Sequence, residues 1–432
     1  MKVLLISENR CRDNLVPWPI GAACIAAAAE AAGHNVKGLD LMFSRDASAD
    51  VAAAVRSFQP DVVGISLRNI DNQDMHANEF FLPGVKQVVD AVTSETVAPV
   101  VLGGAGFTIF PLECLSYLGQ EMGIVGEGEE AFVQLLDVLE AAGDPSGVGG
   151  LAILRDGTRR INPVERPVDF RRAPPPDRRA FSVSSYDWVP GKGPPFVANI
   201  QSRRGCPLRC IYCSSPLVEG RVVRCREAMQ VADELEALEK EHGLSTVIFA
   251  DSHFNFPGEY ARELCSLIIE KQLSIRWSCG INPLYYDEAL FPMMREAGCF
   301  AVSLGNESGS DEMLAALRKD FTSSDVRKNV IAAKEQGFQV SCFLLLGGPG
   351  ETRESVEESI ALMDELEPEA VRVTVGIRIF PGCELERIAA EEGVVSPGQN
   401  LLQPAFYLEK AVAPWLYEMM SEACASRPGW FL

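Results

Sequence analysis

Two long stretches of the chain alternate short β-branched runs with helical segments, and a proline-rich connector separates them. In the first ~145 residues, runs at KVLLISE (2–8), NVKGLDL (35–41), DVVGISL (61–67), PVVLGGA (99–105) and MGIVGEG (122–128) predict strands, with helices near 19–33, 48–58, 74–94 and 128–142. Strands alternating with alanine-rich helices give a parallel sheet with crossover helices, here an open doubly wound α/β domain. From 197 to 390 the alternation resumes with strands at FVANIQS, STVIFAD, SIRWSCG, FAVSLGN, QVSCFLLLG and AVRVTVGIRIF. The intervening helices are expected at 226–242, 257–272, 285–297, 310–318, 324–337 and 352–366. Six strand–helix units in a row predict a partial (β/α)6 barrel, whose chemistry sits at the carboxyl ends of its strands.

These patterns divide the chain into a sheet domain (1–145), a connector (146–196), the barrel (197–390) and a tail (391–432). Within the connector, LAILRDGTRRINP reads as a hairpin turning at Asp156-Gly157, and RRAPPPDRRAF is too rich in proline for regular structure. The tail holds several aromatics and one helix, too little for an independent domain, and is expected to cap the barrel.

Composition narrows the class. The chain has 432 residues, 47% of them hydrophobic and 23% charged, so it packs two or three ordinary domains. No apolar run reaches the ~20 residues of a membrane span. The nearest, PIGAACIAAAAEAAG (19–33), is interrupted by Glu30 and lacks the layout of a signal peptide, so a cytoplasmic protein is expected. Sixty acidic residues against 39 basic ones leave a net charge of −21, which argues against nucleic acid as substrate. A local basic pocket remains open, because Arg203, Arg204, Arg221, Arg224 and Arg226 flank one cysteine-rich segment.

That segment is RGCPLRCIYC (204–213), which carries Cys206, Cys210 and Cys213 of the chain's 13 cysteines. The other ten are scattered, mostly in apolar stretches where cysteine packs as a small hydrophobe. A structural zinc site closes with four ligands, often as two C-x2-C pairs. Here the spacing is C-x3-C-x2-C, and a zinc reading needs Cys225, twelve residues on, as the fourth ligand. A [4Fe–4S] cluster held by three cysteines leaves one iron open to a substrate or cofactor. The segment directly follows the first barrel strand, on the catalytic face.

The ends of the predicted N-terminal strands also carry residues suited to a ligand. The third runs into Leu67-Arg68-Asn69-Ile70-Asp71, the fourth ends in Gly103-Gly104-Ala105-Gly106, and the fifth in Gly126-Glu127-Gly128-Glu129. Open sheets bind ligands at such carboxyl ends, and glycine allows close backbone approach. No G-x-G-x-x-G follows the first strand, so the dinucleotide fingerprint is absent.

C-x3-C-x2-C after the first strand of a six-unit α/β barrel resembles the radical S-adenosylmethionine enzymes. IFADSHFNFPGEYARELCSLI, GCFAVSLGNESGSDEMLAAL, FLLLGGPGETRES and GIRIFPGCELERIA resemble later segments of that barrel in order, and with PPPDR the resemblance covers 175–395. The first domain, through PWPIGAACIAAAAEAAGHNV, DVVGISLRNIDN, VVLGGAG and GIVGEGEEAF, resembles the cobalamin-binding members of the family, those of the class B radical methyltransferase kind. The resemblance implies Cys206, Cys210 and Cys213 as cluster ligands. It implies contacts of Asp251, Ser252, Glu307 and Ser308 with the methionine or ribose part of S-adenosylmethionine, and of Gly347, Gly348 and Pro349 with its adenine. Cobalamin would lie over the strand ends at Arg68 and Asn69. Its tail would run toward Gly103, Gly104, Gly106, Gly126, Glu127 and Gly128.

Better-known cobalamin domains supply an axial histidine from D-x-H-x-x-G after the first strand. SENRCRDNLVPWP contains none, and His76, in D-x-H spacing after the third strand, is read as a surface helix residue. Arg68 is a candidate for the lower face of cobalt, since a guanidinium has no lone pair to donate; a salt bridge to Asp71 or a contact with a ligand phosphate is the alternative. His253 reads as a packed histidine and Cys299 and Cys342 as core residues, ahead of any catalytic role. The activity implied is methylation of an unactivated carbon in a small or medium-sized molecule, through methylcobalamin and a 5′-deoxyadenosyl radical, with a flavodoxin- or ferredoxin-like electron donor. The alternative is a rearrangement, ring contraction or cyclisation with the same cofactors. Methylthiolation of RNA or protein fits less well, because Cys11, Cys24 and Cys114 are too scattered for a second cluster. A zinc-stabilised binding protein depends on Cys225.

Overall fold

The computed structural model describes residues 1–12, 16–155, 157–164, 167–187 and 196–432. Strands β1 (Lys2–Ser7), β2 (Val16–Pro17), β3 (Asn35–Asp40), β4 (Val62–Ser66), β5 (Val100–Gly103), β6 (Met122–Ile124), β7 (Leu151–Arg155) and β8 (Thr158–Ile161) occupy the first 161 residues. All but β2 form one sheet in the order β3-β1-β4-β5-β6-β7-β8, parallel up to β6 and antiparallel beyond. The doubly wound pattern follows from two-residue periodicity. Val3 and Leu5 point to a core shared with helices Ile20–Ala31 and Glu129–Glu140, whereas Leu4 and Ile6 point to helices Ala47–Phe58, Leu82–Glu95 and Pro111–Leu118.

Three features differ from the sequence reading. The hairpin placed in the connector extends this sheet instead, because β7 pairs directly with β6 (Gly123 opposite Ala152); Asp156 of its turn lies outside the described residues. The helix expected from 74 begins at Leu82, after a loop closed by an Asp71–Phe80 bridge and by turns in which Asp74 accepts from the backbone N–H of His76 (2.7 Å) and Ala77 (2.9 Å). His76 is therefore a loop residue, stacked on Tyr417 of the C-terminal helix at 3.7 Å between ring centres. Finally, the glycine-rich GGAG run opens two short helices, Ala105–Ile109 and Pro111–Leu118, which glycine content had masked.

The barrel is built from β9 (Phe196–Ile200), β10 (Arg203–Arg204), β11 (Arg224–Cys225), β12 (Thr246–Phe249), β13 (Arg276–Ile281), β14 (Cys299–Glu307), β15 (Gln339–Leu346), β16 (Ala370–Val375), β17 (Ile377–Arg378), β18 (Phe406–Tyr407) and β19 (Trp430–Phe431). Strands β9, β12, β13, β14, β15 and β16 pair in parallel, and β2 and β19 cover the two edges. Thus β2, from the first domain, fastens the sheet domain to β9, while the tail supplies β19. Alternate positions pack against the helices (Trp277, Val302, Cys342, Val373). The opposite face carries the half-buried small polar residues Ser278, Ser303, Ser341 and Thr374, together with the larger Phe343, Leu345 and Arg372. Cys299 and Cys342 belong to the packed set.

The joint between domains is also a buried polar arrangement. Trp18 donates its indole N–H to the Phe181 carbonyl (3.0 Å), under the Arg178 guanidinium. Glu234 takes both Arg178 and Arg226 at 2.5 Å. Although burial pushes the Glu234 carboxyl up, the two guanidinium groups hold it below its usual range.

Candidate active site

The cysteine segment forms a loop whose base is set by residues outside it. Asp251, at the end of β12, accepts from the Ser202 N–H (2.7 Å), the Ser202 hydroxyl (2.5 Å) and the Arg203 N–H (3.1 Å), and pairs with the Arg203 guanidinium at 3.2 Å. Arg203 in turn donates to the Phe254 and Phe256 carbonyls at 2.6 and 2.7 Å. The short β10–β11 pair closes the neck, and Gly205 turns the chain at φ 98°. A Cβ there would sit 2.2 Å from the Val222 carbonyl oxygen, so only glycine fits. Farther round, Ile211 donates to Leu317 (3.3 Å) and accepts from Leu385 (2.9 Å), and the Cys383 thiol donates to the Cys213 carbonyl (3.4 Å).

Cys206 is buried, while Cys210 and Cys213 are half-buried. Burial raises the Cys206 thiol and pushes Cys210 up to about 11, so metal binding there displaces protons. Thiolates on one zinc, at about 2.3 Å from the metal, converge to within about 4 Å of one another. Among the described residues no three cysteines, histidines or acids are so arranged. Cys225 lies in β11 opposite Arg203, with Arg203, Asp251 and Arg171 as its charged neighbours. The C-x3-C-x2-C spacing of the loop suits a cube in which each of three thiols takes its own iron.

Of the residues expected to meet S-adenosylmethionine, Ser252 opens onto a cavity beside the loop. Asp251 is committed to Ser202 and Arg203, with no exposed side-chain surface. Glu307, at φ 60°, accepts from the Tyr212 hydroxyl (2.8 Å) and the buried Lys319 ammonium (3.1 Å), both through Oε1, which leaves Oε2 uncommitted. Burial opposes the charge on Lys319, but Glu307 and the cysteine loop outweigh it and raise its pKa. Ser308 is buried and bonded to Ser359 (3.0 Å) and to the Ser310 N–H (3.1 Å), a fold contact. Gly347, Gly348 and Pro349 follow β15, with the Gly347 N–H donated to buried Glu351 (3.1 Å).

Lys319, Tyr212 and Glu351 were missed by sequence reasoning. The acid three residues beyond Gly348 in GGPGE was the available signal; nothing local marked the lysine. His253 stands 3.4 Å from the Cys206 sulfur. Burial, aided by Lys319 and Arg203, lowers its pKa to about 4, so the imidazole is neutral at pH 7.

Across from the loop, the strand ends of the first sheet and the β9–β12 side of the barrel enclose a cavity of about 530 Å³. Arg68, Gly103, Gly104, Gly126, Glu127 and Gly128 line it. A second cavity of about 380 Å³ adjoins it, lined by Asn69, Gly106 and Ser252 among others, with Arg68, Ala105, Val218, Glu219 and Ala250 common to both. Gly104 has φ 96°, and a Cβ would lie 2.5 Å from the Leu67 carbonyl oxygen, so the chain passes directly beneath the cavity floor. The Gly126 N–H is held by the Thr108 hydroxyl (2.9 Å), another residue the sequence did not single out.

The joined space, with glycine-rich edges and walls such as Leu5, Ile25, Ile65 and Phe132, suits a broad macrocycle with an appended tail. No histidine lines either cavity among the described residues. Arg68 faces the cavity space without an ion pair among those residues. Asp71 is taken by Arg378 at 3.0 Å, which removes the alternative of an Arg68–Asp71 bridge.

Glu127 is not free for a ligand. It pairs with Arg204 (3.2 Å) and Arg224 (2.6 Å), while Glu129 holds Arg204 at 2.7 Å. These pairs pin the cysteine loop to the first domain across the cavity edge. Glu219, which lines both cavities, accepts the Gly205 N–H (3.0 Å) and the Gln201 amide (3.0 Å), and burial raises its carboxyl pKa.

A three-thiol loop at the mouth of an open α/β barrel, facing a corrin-sized cavity, defines a radical enzyme that combines an iron–sulfur cluster with cobalamin. The comparisons agree. The Radical SAM superfamily matches residues 200–363 and the B12 binding domain matches residues 14–136. The chain belongs to the cobalamin-binding radical S-adenosylmethionine enzymes.

An uncharacterized methyltransferase of Pyrococcus horikoshii is 28% identical, over 85% of this chain and 77% of its own. The tryptophan 2-C-methyltransferase of Streptomyces laurentii is 25% identical, over 90% and 74%. The solved radical S-adenosylmethionine methyltransferase of Kitasatospora setae, bound to tryptophan and an analogue of S-adenosylmethionine, superposes with a TM-score of 0.86. It does so at 22% identity, covering 98% of this chain and 88% of that one, which establishes the shared fold.

Proposed function

We propose that this protein is a cobalamin-dependent radical S-adenosylmethionine methyltransferase acting on carbon in a small or medium-sized molecule. The observation that carries the reading is the pinning of the cysteine loop against the corrin-sized cavity through Arg204, Glu127 and Glu129. It supports a reading in which a one-electron centre and a methyl carrier would share one space. When bound, the cluster supplies reductive cleavage of S-adenosylmethionine and the cobalamin supplies methyl transfer.

The chain's own residues orient and shield. Cys206, Cys210 and Cys213 hold the cluster, and Asp251 and Arg203 fix the base of their loop. Ser252, Glu307 through its open Oε2, and the Gly347–Pro349 backbone are the groups we assign to S-adenosylmethionine. Arg68, which borders both cavities, would lie beside the cobalt of a bound cobalamin, where a guanidinium would fill space without ligating. Small polar side chains at Ser278, Ser303, Ser341 and Thr374 leave room for substrate in the barrel. The relatives that methylate tryptophan set its expected size. An electron donor of the flavodoxin or ferredoxin kind completes the system.

The test is anaerobic turnover with methyl-deuterated S-adenosylmethionine and a panel of aromatic and heteroaromatic small molecules, tryptophan included. A product heavier by one labelled methyl group supports the reading. Turnover that rearranges or cyclises a substrate without label would contradict it.

A further inference from the structure

Six arginines surround the cysteine loop, and the structure sorts them into two groups. Arg203, Arg204, Arg224 and Arg226 turn inward and are consumed by Asp251, Glu127, Glu129 and Glu234. Arg209 and Arg221 turn outward, are exposed, and form no ion pair among the described residues. Arg209 is the chain neighbour of Cys210. Arg221 donates to the Leu208 carbonyl (2.9 Å), so its side chain lies along the outside of the loop between Cys206 and Cys210. It is also a charged neighbour of Cys383, whose thiol bonds to Cys213.

Two exposed apolar residues flank these charges: Leu217 at 42% and Val222 at 71% of full exposure. Leu217 packs over Gly382, and the Val222 backbone packs on Gly205, so both are anchored close to the loop. Farther out, Arg318 and Arg387 share Glu384 (3.1 and 2.7 Å), and Glu386 accepts the Gly382 N–H (2.8 Å), a rim that largely neutralises itself.

Two cations with no ion pair among the described residues thus lie beside exposed apolar side chains at the loop, on a chain of net charge −21 most of whose surface repels an acidic partner. Their position, over the outer side of the cluster-binding loop, indicates what such a partner delivers. We propose that Arg209, Leu217, Arg221 and Val222 form the docking surface for an acidic one-electron carrier protein. This rests on reading the loop as the cluster site. The step is a single electron transfer: the carrier is oxidised by one electron, the cluster is reduced by one, and no bond is made or broken.

The test uses the full chain reconstituted anaerobically with iron, sulfide and cobalamin, as wild type, R209E/R221E and R209Q/R221Q. Each is mixed with fully reduced flavodoxin, and separately with photoreduced deazaflavin, a small uncharged reductant, while cluster bleaching is followed. With flavodoxin, the wild-type rate should fall as salt rises. The charge-reversed protein should be slower by about tenfold at low salt and nearly indifferent to salt, with the glutamine protein between. With deazaflavin all three should reduce at equal rates, which shows intact clusters. Equal flavodoxin rates in all three proteins, or a wild-type rate that ignores salt, would overturn the docking surface while leaving the cluster reading in place. A wild-type chain that takes up no iron would overturn both.

Discussion

The cysteine loop and the cavity over the strand ends of the first sheet solve opposite problems. The loop is fixed by a dense set of polar contacts, with Asp251 alone accepting three hydrogen bonds and a buried ion pair. The cavity is lined mostly by apolar side chains and glycine, with Arg204, Glu127 and Glu219 along one edge and Arg68 left unpaired among the described residues. Thiolate ligation demands that three sulfurs be delivered in one arrangement, so the loop is over-determined. A macrocycle is held by area and shape, so its walls need little polar precision. The two regions meet through the ion pairs of Arg204 and Arg224 with Glu127 and Glu129 and through the packing of helix Ala105–Ile109 on helix Ser215–Glu219, and damage to one should leave the other mostly intact.

That independence can be broken in graded steps. The largest effect belongs to the ligands: C206A, C210A or C213A should abolish iron retention while cobalt stays bound, as measured by metal analysis after desalting. Next is D251N, which leaves the Arg203 guanidinium buried without its charge partner. Removing one member of a buried pair costs about 3–5 kcal/mol, so denaturant unfolding should show a loss of that size, and iron content should fall with it. G104A should cost about 1–3 kcal/mol of local strain, because its methyl group meets the Leu67 carbonyl. Its signature is weaker cobalamin retention with iron unchanged; equal loss of both would merge the two sites into one structural unit.

Arg68 should give the smallest change in stability. R68H should shift unfolding by less than about 0.5 kcal/mol, since no ion pair is lost among the described residues. An imidazole has the lone pair that a guanidinium lacks, so the cobalt spectrum of the variant should gain a nitrogen ligand. An unchanged spectrum would place Arg68 away from the metal.

Much of this comparison was legible in the sequence. Apolar runs and helical stretches marked the strands of both sheets, because parallel strands buried on both faces show it in composition. The three cysteines announced themselves by spacing, and the glycines at the strand ends marked the cavity. What was hidden is pairing over long chain separations. Nothing near Asp251 shows that its carboxylate serves Arg203 instead of a ligand, or that Glu127 is held by arginines 77 and 97 residues away. The stretch from 74 looked helical, yet Asp71 and Asn72 favour side-chain-to-backbone turns that delay the helix to Leu82. His76 accordingly meets Tyr417, more than three hundred residues on.

The central claim is that one chain holds an iron–sulfur cluster and a corrin at separate, facing sites. The most direct measurement is iron, cobalt and zinc per chain after anaerobic reconstitution and desalting, in wild type and in the C206A/C210A/C213A protein. The account predicts about four irons and one cobalt in the wild type, and cobalt alone in the variant. Zinc in place of iron, or cobalt lost together with the thiols, would contradict it.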